Sequence, residues 1–516
     1  MHWADVIAKK LLEKGKEHVI SSGITPSGPI HVGSMREILT ADAIARAVRD
    51  RGGKAELIYV ADTADPLRKV YPFLENLGYE KWIGYPLAEI PAPNDEGTYA
   101  DYFLNPFFEA LSAVDVNSRV VDNYKAYKEG KYVNESKKAC ENIEKVKEIL
   151  ETVSGRQLPK NWFPWTFVND DGKMISGKVL KYEWPIVEFE DENGEVFTNN
   201  IEKGEGKLPW RLDWPAKWNV LGVTFEAFGK DHATKGGSYD SGVKIVRDIY
   251  GGTEPEKTVY EWINLKGEGA MHSSTGLAIS ANEILEVIPP EVLRWLIMKP
   301  QPNRHIDFDP GLGILNLTGE YEKVELEYNR EENRTDAHRA YELSQVDNKV
   351  KESKQSSKTL GQIKSYRNIL TLVQSKNSLE DMIDSLKRIG ILEESTKEIE
   401  EHLGKRVEYV KNWLERYAPD EIKFEIKKEA PENEFDDEQR DVIKEMITEF
   451  NAIEWNAEEI HNSFYKVQDK NGMEAKKIFE IVYLALLGQN YGPKMGFFLA
   501  TNLERDFVIE RLESYL

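Results

Sequence analysis

The chain has 516 residues, 40% of them hydrophobic and 31% charged, and its 68 Lys and Arg against 90 Asp and Glu leave a net charge of −22. At about 100–200 residues per domain this length suggests roughly three or four domains, with enough apolar material for a buried core and no case for disorder throughout. The acidic balance excludes a general nucleic-acid coat, Cys140 as the single cysteine excludes an internal disulfide or a zinc site built on paired cysteines, and no apolar run approaches the ~20 residues that span a bilayer.

The first twenty residues mix charged and apolar side chains and lack a signal-peptide core, so the expected compartment is the reducing cytoplasm. Residues 16–62 read as one β-α-β unit. His18–Ser22 is strand-like, a Gly/Pro loop runs from Gly23 to Gly33, and a helix follows with Met35, Ile38, Ala41, Ala45 and Val48 on one face. Gly52-Gly53 ends that helix, and Leu57–Ala61 is an uninterrupted apolar run, as in a strand buried on both faces. Residues 86–208 have a different texture, with Pro/Asn-rich loops, a polar helix near 134–152 and a hairpin signal at Asp191–Gly194, and read as an insertion. Residues 209–265 return to the α/β pattern: a strand over Val220–Phe228, a loop over Gly229–Gly237, a helix over Ser238–Tyr250 and a strand over Val259–Leu265. The fold class is therefore α/β, a doubly wound parallel sheet split by an insertion. Beyond residue 320 the chain is rich in Glu, Lys and Leu and poor in strand signals, which predicts an all-α region over 321–516.

Three loops follow strands. In the first, Ser22–Ser34, Gly23, Gly28 and Gly33 allow close backbone approach to a ligand, His31 stands just before a helix start, and Ser34 with Glu37 has capping-box spacing. By itself this is either a phosphate-binding loop or a tight βα turn. In the second, Gly229–Gly237, Asp231 suits ribose hydroxyls, with His232, Lys230 and Lys235 beside it. The third, Lys266–Gly276, is rich in Gly and Ser and suits either a flap over phosphates or a flexible linker.

Taken together the loops resemble class I aminoacyl-tRNA synthetases, and in particular the archaeal type of class I lysyl-tRNA synthetase. His31-Val32-Gly33-Ser34 resembles the HIGH signature and Ala270-Met271-His272-Ser273-Ser274 falls where KMSKS falls. Trp210–Trp218, Gly229–Asp240, Asp65–Val70 and Tyr491–Gly496 are similar to stretches of the lysine-specific enzymes. The resemblance implies a lysine–tRNA ligase that forms lysyl-adenylate from L-lysine and ATP with Mg²⁺, then transfers lysine to tRNA(Lys). It further implies a catalytic first half at 1–85, an acceptor-end insertion at 86–208, a second half at 209–265, a flap and stem-contact region at 266–320 and a helical anticodon-binding cage at 321–516. His31, Gly33 and Ser34 would be catalytic. Pro26, Gly28, His31, Gly33, Gly229, Asp231, Met271, Ser273 and Ser274 would bind ATP, and Gly23, Thr25, Trp214, Trp218 and His232 the amino acid.

The insertion lacks the cysteines that relatives use to hold zinc, so no structural zinc is expected, nor any other protein-held metal. Both flap lysines are replaced, by Ala270 and Ser273, leaving Lys230, Lys235, Lys266 or Arg36 to supply positive charge; the alternative is an inactive, synthetase-like tRNA-binding protein. Lys173–Lys178 resembles the flap signature but precedes the second half of the sheet, so it reads as a turn. Between 349 and 367 six basic residues, Lys349, Lys351, Lys354 and Lys358 among them, face only Glu352, a candidate contact for the tRNA backbone. The protein is expected to act as a monomer without a membrane.

Overall fold

The computed structural model describes residues 1–270, 279–330, 333–346, 365–392 and 396–516. Two compact units are built: residues 1–285, 293–308 and 335–347 in the first, and 286–292, 309–334 and 348–516 in the second.

The first unit is organised by a five-stranded parallel sheet. Its strands are β1 (Glu17–Ile24), β2 (Lys54–Ala61), β3 (Arg119–Asp122), β9 (Phe225–Gly229) and β10 (Glu256–Tyr260), in spatial order β10-β9-β1-β2-β3. From β1 the chain winds outward to β2 and β3, and later to β9 and β10 on the other side. The reversal lies between β1 and β9, and the carboxyl ends of these strands form the crevice where such sheets bind ligands. The helix after β1, α2 (Val32–Asp50), is buried along most of its length, including Met35, Ile38, Ala41, Ala45 and Val48. Leu57–Ala61 in β2 is buried without interruption, as the apolar run predicts.

Four element boundaries differ from the sequence reading. The helix α3 (Tyr99–Ala113) and strand β3 fall within the expected insertion yet build the edge of the main sheet. A four-residue edge strand whose apolar content is Val120-Val121 leaves no periodic signal. Residues 210–221 form a helix, α7 (Trp210–Leu221), which runs up to the turn before β9, so the strand starts five residues later than expected. Helix α8 is α-helical over Ser238–Ile245 and closes with a wider turn over Val246–Tyr250. The run Val259–Leu265 is two strands in two sheets. β10 ends at Tyr260, and β11 (Ile263–Leu265) pairs with β12 (Gly269–Ala270) and β13 (Ile306–Phe308).

Between β3 and α7 the inserted segment carries three helices, Asn123–Lys128, Val133–Glu141 and Ile143–Ser154, and two small antiparallel sheets. The ring of Phe167 stacks on Phe189 at 4.2 Å within a core that also contains Val146, Trp165 and Leu208. The predicted hairpin is present: Ile186–Glu190 pairs with Val196–Asn200, and the Asp191 carboxylate accepts N–H bonds from Asn193 and Glu195. Lys173–Lys178 lies inside this insertion, but it contains strand Met174–Ile175 and the first residue of strand Lys178–Glu183 rather than the expected turn, because both strands pair into the insertion's small sheets.

The second unit is helical. Its core gathers Met446, Phe450, Phe464, Ile478, Val482 and Phe498 from helices Asp437–Ala452, Ala457–Asn471, Ala475–Leu487 and Met495–Asn502. The second unit resumes at Asp309. The helix Asp336–Ser344 belongs to the first unit, although the sequence reading assigns it to the helical region. The physical reason is the fully buried Arg294, which donates to the Leu343 carbonyl and pairs with Asp42 on α2 at 2.6 Å. No helix among the described residues is long and apolar enough to cross a membrane.

Candidate active site

A cavity of about 260 Å³ opens at the switch point between β1 and β9. Of the predicted site residues, Gly23, His31, Gly33, Ser34, Gly229, Asp231 and His232 line it. The first loop delivers His31 as the residue that caps α2, with extended backbone at φ −94° and ψ 168°, so the helix opens toward the cavity with its positive end. Gly33 is required by packing: a Cβ there would lie 2.7 Å from the His31 ring. Gly23 is required for a different reason, because its Cβ would lie 2.6 Å from the Val60 carbonyl oxygen on β2. From far along the chain, the Ile279 carbonyl accepts the Val32 N–H at 2.9 Å, and Ser280 pairs with His31 in an isolated β-bridge.

The capping-box reading of Ser34 and Glu37 is corrected. α2 starts three residues earlier, with His31 as its cap and Val32 as its first residue, and Glu37 turns away from the helix end into the cavity. Its Oε1 accepts the Gly23 N–H at 2.9 Å and the Ser22 hydroxyl at 3.3 Å, and its Oε2 accepts the Tyr260 hydroxyl at 2.6 Å. Desolvation outweighs these bonds and pushes the Glu37 carboxyl up to about 7. Glu37 is the site residue that the sequence reading missed. Its signal was present: it stands four residues after Gly33, on a stripe that continues through the buried Thr40, Ala41 and Ile44. A lone carboxylate on such a stripe is exceptional.

Trp214 and Trp218 are 4% and 1% exposed and sit in the core behind β9. Both indole N–H groups donate to Glu226, Trp214 at 3.0 Å. Glu226 is buried, its carboxyl raised to about 7 by desolvation, and it also accepts Ser21. Trp214 in turn packs its ring 5.3 Å from His232, which does line the cavity and which burial holds below its usual range. Pro26 and Gly28 are buried in the first loop, where the Phe73 ring closes on Gly28. Thr25 donates to Asp65 at 2.8 Å.

Arg36 cannot serve as a phosphate cation, which corrects that expectation. It is 1% exposed, and its guanidinium donates to the carbonyls of Trp262, Pro302 and Arg304. Lys230 pairs with Glu261 at 2.7 Å and lies over the Trp262 ring at the cavity rim. Met271, Ser273 and Ser274 lie outside the described residues, as do Lys349, Lys351, Lys354 and Lys358. Among the described residues, no group of three or more His, Cys, Asp or Glu is set to hold a metal ion.

The site can therefore hold a cation against Glu37 at one end, an anion at the α2 terminus, and hydroxyls at Asp231. Comparison with known proteins finds relatives along the chain. The family described as tRNA synthetases class I (K) matches residues 1–347, and an anticodon binding domain matches residues 382–516. The lysine–tRNA ligase of Thermoplasma volcanium is 40% identical over 100% of this chain and 99% of its own length. That of Thermoplasma acidophilum is 40% identical over 100% and 99%, and that of Archaeoglobus fulgidus 38% identical over 100% of both.

Proposed function

Because the chain belongs to the class I tRNA synthetase (K) family, we propose that it is a lysine–tRNA ligase. In the first step a carboxylate oxygen of L-lysine attacks the α-phosphorus of ATP and pyrophosphate leaves. In the second, a ribose hydroxyl of the terminal adenosine of tRNA(Lys) attacks the lysyl carbonyl and AMP leaves. The observation that carries this reading is the carboxylate of Glu37 at the wall of a switch-point cavity, in a chain that matches lysine–tRNA ligases from end to end.

Glu37 and the Tyr260 hydroxyl receive the side-chain ammonium of lysine, since a carboxylate in a desolvated wall favours a cation. Gly23 and Thr25, at the end of β1, hold the α-carbon end, with the ring of His232 beside them. His31 and the start of α2 stabilise the charge that grows on the α-phosphate, and Gly229 and Asp231 hold the ribose. Both reactions are in-line displacements, so most of the rate comes from positioning and charge stabilisation. Magnesium, arriving with ATP, would share the phosphate charge. The helical second unit would receive the anticodon. The protein would act as a monomer, in the cytoplasm where tRNA is charged.

The test is ATP–pyrophosphate exchange with each of the twenty amino acids, with and without tRNA(Lys). Lysine-dependent exchange is expected, and His31→Ala should lower it by about 10²–10³-fold, the cost of removing one preorganised donor to a developing charge. A folded protein that binds tRNA but exchanges with no amino acid would leave only the inactive binding protein.

A further inference from the structure

Five charged side chains are buried together beside the cavity, and the mechanism above uses none of them. Asp62 and Asp65 follow β2, Lys207 lies at the end of the inserted segment, and Asp213 and Lys217 lie on α7. Each is less than a tenth exposed. They form a chain of contacts. Asp65 Oδ1 accepts Lys207 Nζ at 2.5 Å; Lys207 stands 3.6 Å from Asp213 Oδ2; Lys217 stands 2.9 Å from the same oxygen and bonds Asp62. Neutral donors complete it, with the Tyr127 hydroxyl on Asp213 at 2.6 Å and the Asn123 amide on Asp62 at 3.1 Å. Burial of this many charges is costly, and three carboxylates against two ammoniums leave one negative charge in excess.

The chain ends at the candidate site. Asp65 Oδ2 accepts the Thr25 hydroxyl at 2.8 Å, immediately after Gly23 and Ile24, which line the cavity. A threonine hydroxyl has one proton and two lone pairs. With the proton committed to Asp65, its oxygen can only accept. Burial works against the Asp65 charge, yet Lys207 first, then Lys217 and the Thr25 hydroxyl, hold its carboxyl down at about 2, so the acceptor role of Asp65 is kept across the physiological range.

We propose that Asp65, anchored by Lys207, is a positioning residue for amino-acid activation: it turns the Thr25 hydroxyl so that its lone pairs meet the α-ammonium of the substrate. Lys207 is also tied to the inserted segment, through paired backbone bonds with Thr166 at 2.8 and 3.2 Å. The residue that anchors Asp65 is therefore itself fixed in place by the backbone of the insertion. This inference rests on the ligase reading.

The test measures pyrophosphate exchange by the full chain with tRNA(Lys) present, using 6-aminohexanoate, a lysine without its α-ammonium, as a competitive inhibitor. Thr25→Val and Asp65→Asn are each expected to raise KM for lysine by about 10- to 100-fold, the range for a lost hydrogen bond to a charged group. KM for ATP and the inhibition constant of 6-aminohexanoate should stay at their unaltered values. Thr25→Ser, which keeps the hydroxyl, should recover most of the KM for lysine that Thr25→Val loses. The double variant should be no worse than Thr25→Val alone, because Asp65 acts through Thr25. If the two effects multiply, or if the constants for ATP and 6-aminohexanoate rise with that for lysine, the network is only structural and the proposal falls. Should Asp65→Asn fail to fold, the Thr25 pair decides: an unchanged KM for lysine in Thr25→Val overturns the proposal. Absence of lysine-dependent exchange in the parent protein would instead overturn the ligase reading itself.

Discussion

Replacing Glu37 by glutamine is expected to weaken lysine binding more than any other single change at the cavity. The amide keeps the shape and can still meet Gly23 and Tyr260, but it removes the charge opposite the substrate ammonium. Truncating one partner of a buried, hydrogen-bonded charge pair costs about 2–5 kcal/mol, which corresponds to about 30-fold or more in KM for lysine, with KM for ATP unchanged. The pH dependence gives a second reading. In the parent protein the Glu37 carboxyl, pushed up to about 7, must be ionised to receive the ammonium. Apparent lysine affinity should therefore fall by about tenfold per unit as pH drops below 7. Glu37→Gln should be weak and flat over the same window. Steady-state exchange at constant ionic strength from pH 5.5 to 8 measures both, and a variant that keeps the parental slope would show that another group receives the ammonium.

The largest loss of stability is expected from Lys217→Met, which has nearly the volume of lysine and none of its charge. Lys217 is buried between Asp213 and Asp62, and burial, which opposes its charge, is outweighed by both carboxylates, so its ammonium is held above the ordinary range. Removing it leaves Asp62 and Asp213 with Lys207 alone, and breaking a buried pair in this way costs about 3–5 kcal/mol. The cost should depend on pH with a definite sign. The Asp62 carboxyl is raised to about 6, chiefly by desolvation, against an ordinary value of 3.8. A folded carboxyl above its unfolded value holds its proton longer, so it contributes stability at low pH that is lost as pH rises through that window. Without Lys217 the Asp62 carboxyl rises further, so the penalty of Lys217→Met should be greatest above pH 7 and shrink toward pH 5. Urea denaturation of parent and variant at both pH values measures this. An equal loss at each would mean that the charge of Asp62 is not what Lys217 balances.

The order of elements was legible in the sequence because its signals are local. The apolar run Leu57–Ala61, the helix face of Met35, Ile38, Ala41, Ala45 and Val48, and the turn at Asp191–Gly194 are each set by neighbours in the chain, and each is present as read. The glycines of the first loop were legible too, and Gly23 and Gly33 stand where a Cβ would meet the Val60 carbonyl and the His31 ring. Where local signals compete, the reading slipped. Trp210–Leu221 contains Pro215 and mixes tryptophans with charged residues, and its packing against α8 and the β9 layer marks it as a helix. β3 is four residues long, and only its pairing with β2 reveals it.

The site divides the same way. From the chain alone came the loops, the residues His31, Gly33, Gly229, Asp231 and His232 that meet in one cavity, and the family that such loops resemble. What only the tertiary structure decided is the partner of each polar side chain. Glu37 reads as a cap because a capping box needs only a spacing of three, but the crossing of α2 over β1 carries its carboxylate to Gly23 and Tyr260, the latter 223 residues away. Arg36 reads as a free cation until the carbonyls of Trp262, Pro302 and Arg304 close around it. Trp214 and Trp218 read as substrate contacts until their N–H groups are found on Glu226. The Asp62, Asp65, Lys207, Asp213 and Lys217 chain has no sequence signal at all, since its members come from three separate segments and a charge in a sequence does not say whether it will meet water or another charge. Spacing along the chain fixes which residues are near one another on one element; which groups lose their water, and therefore which must pair, is decided only when elements distant in sequence close over them.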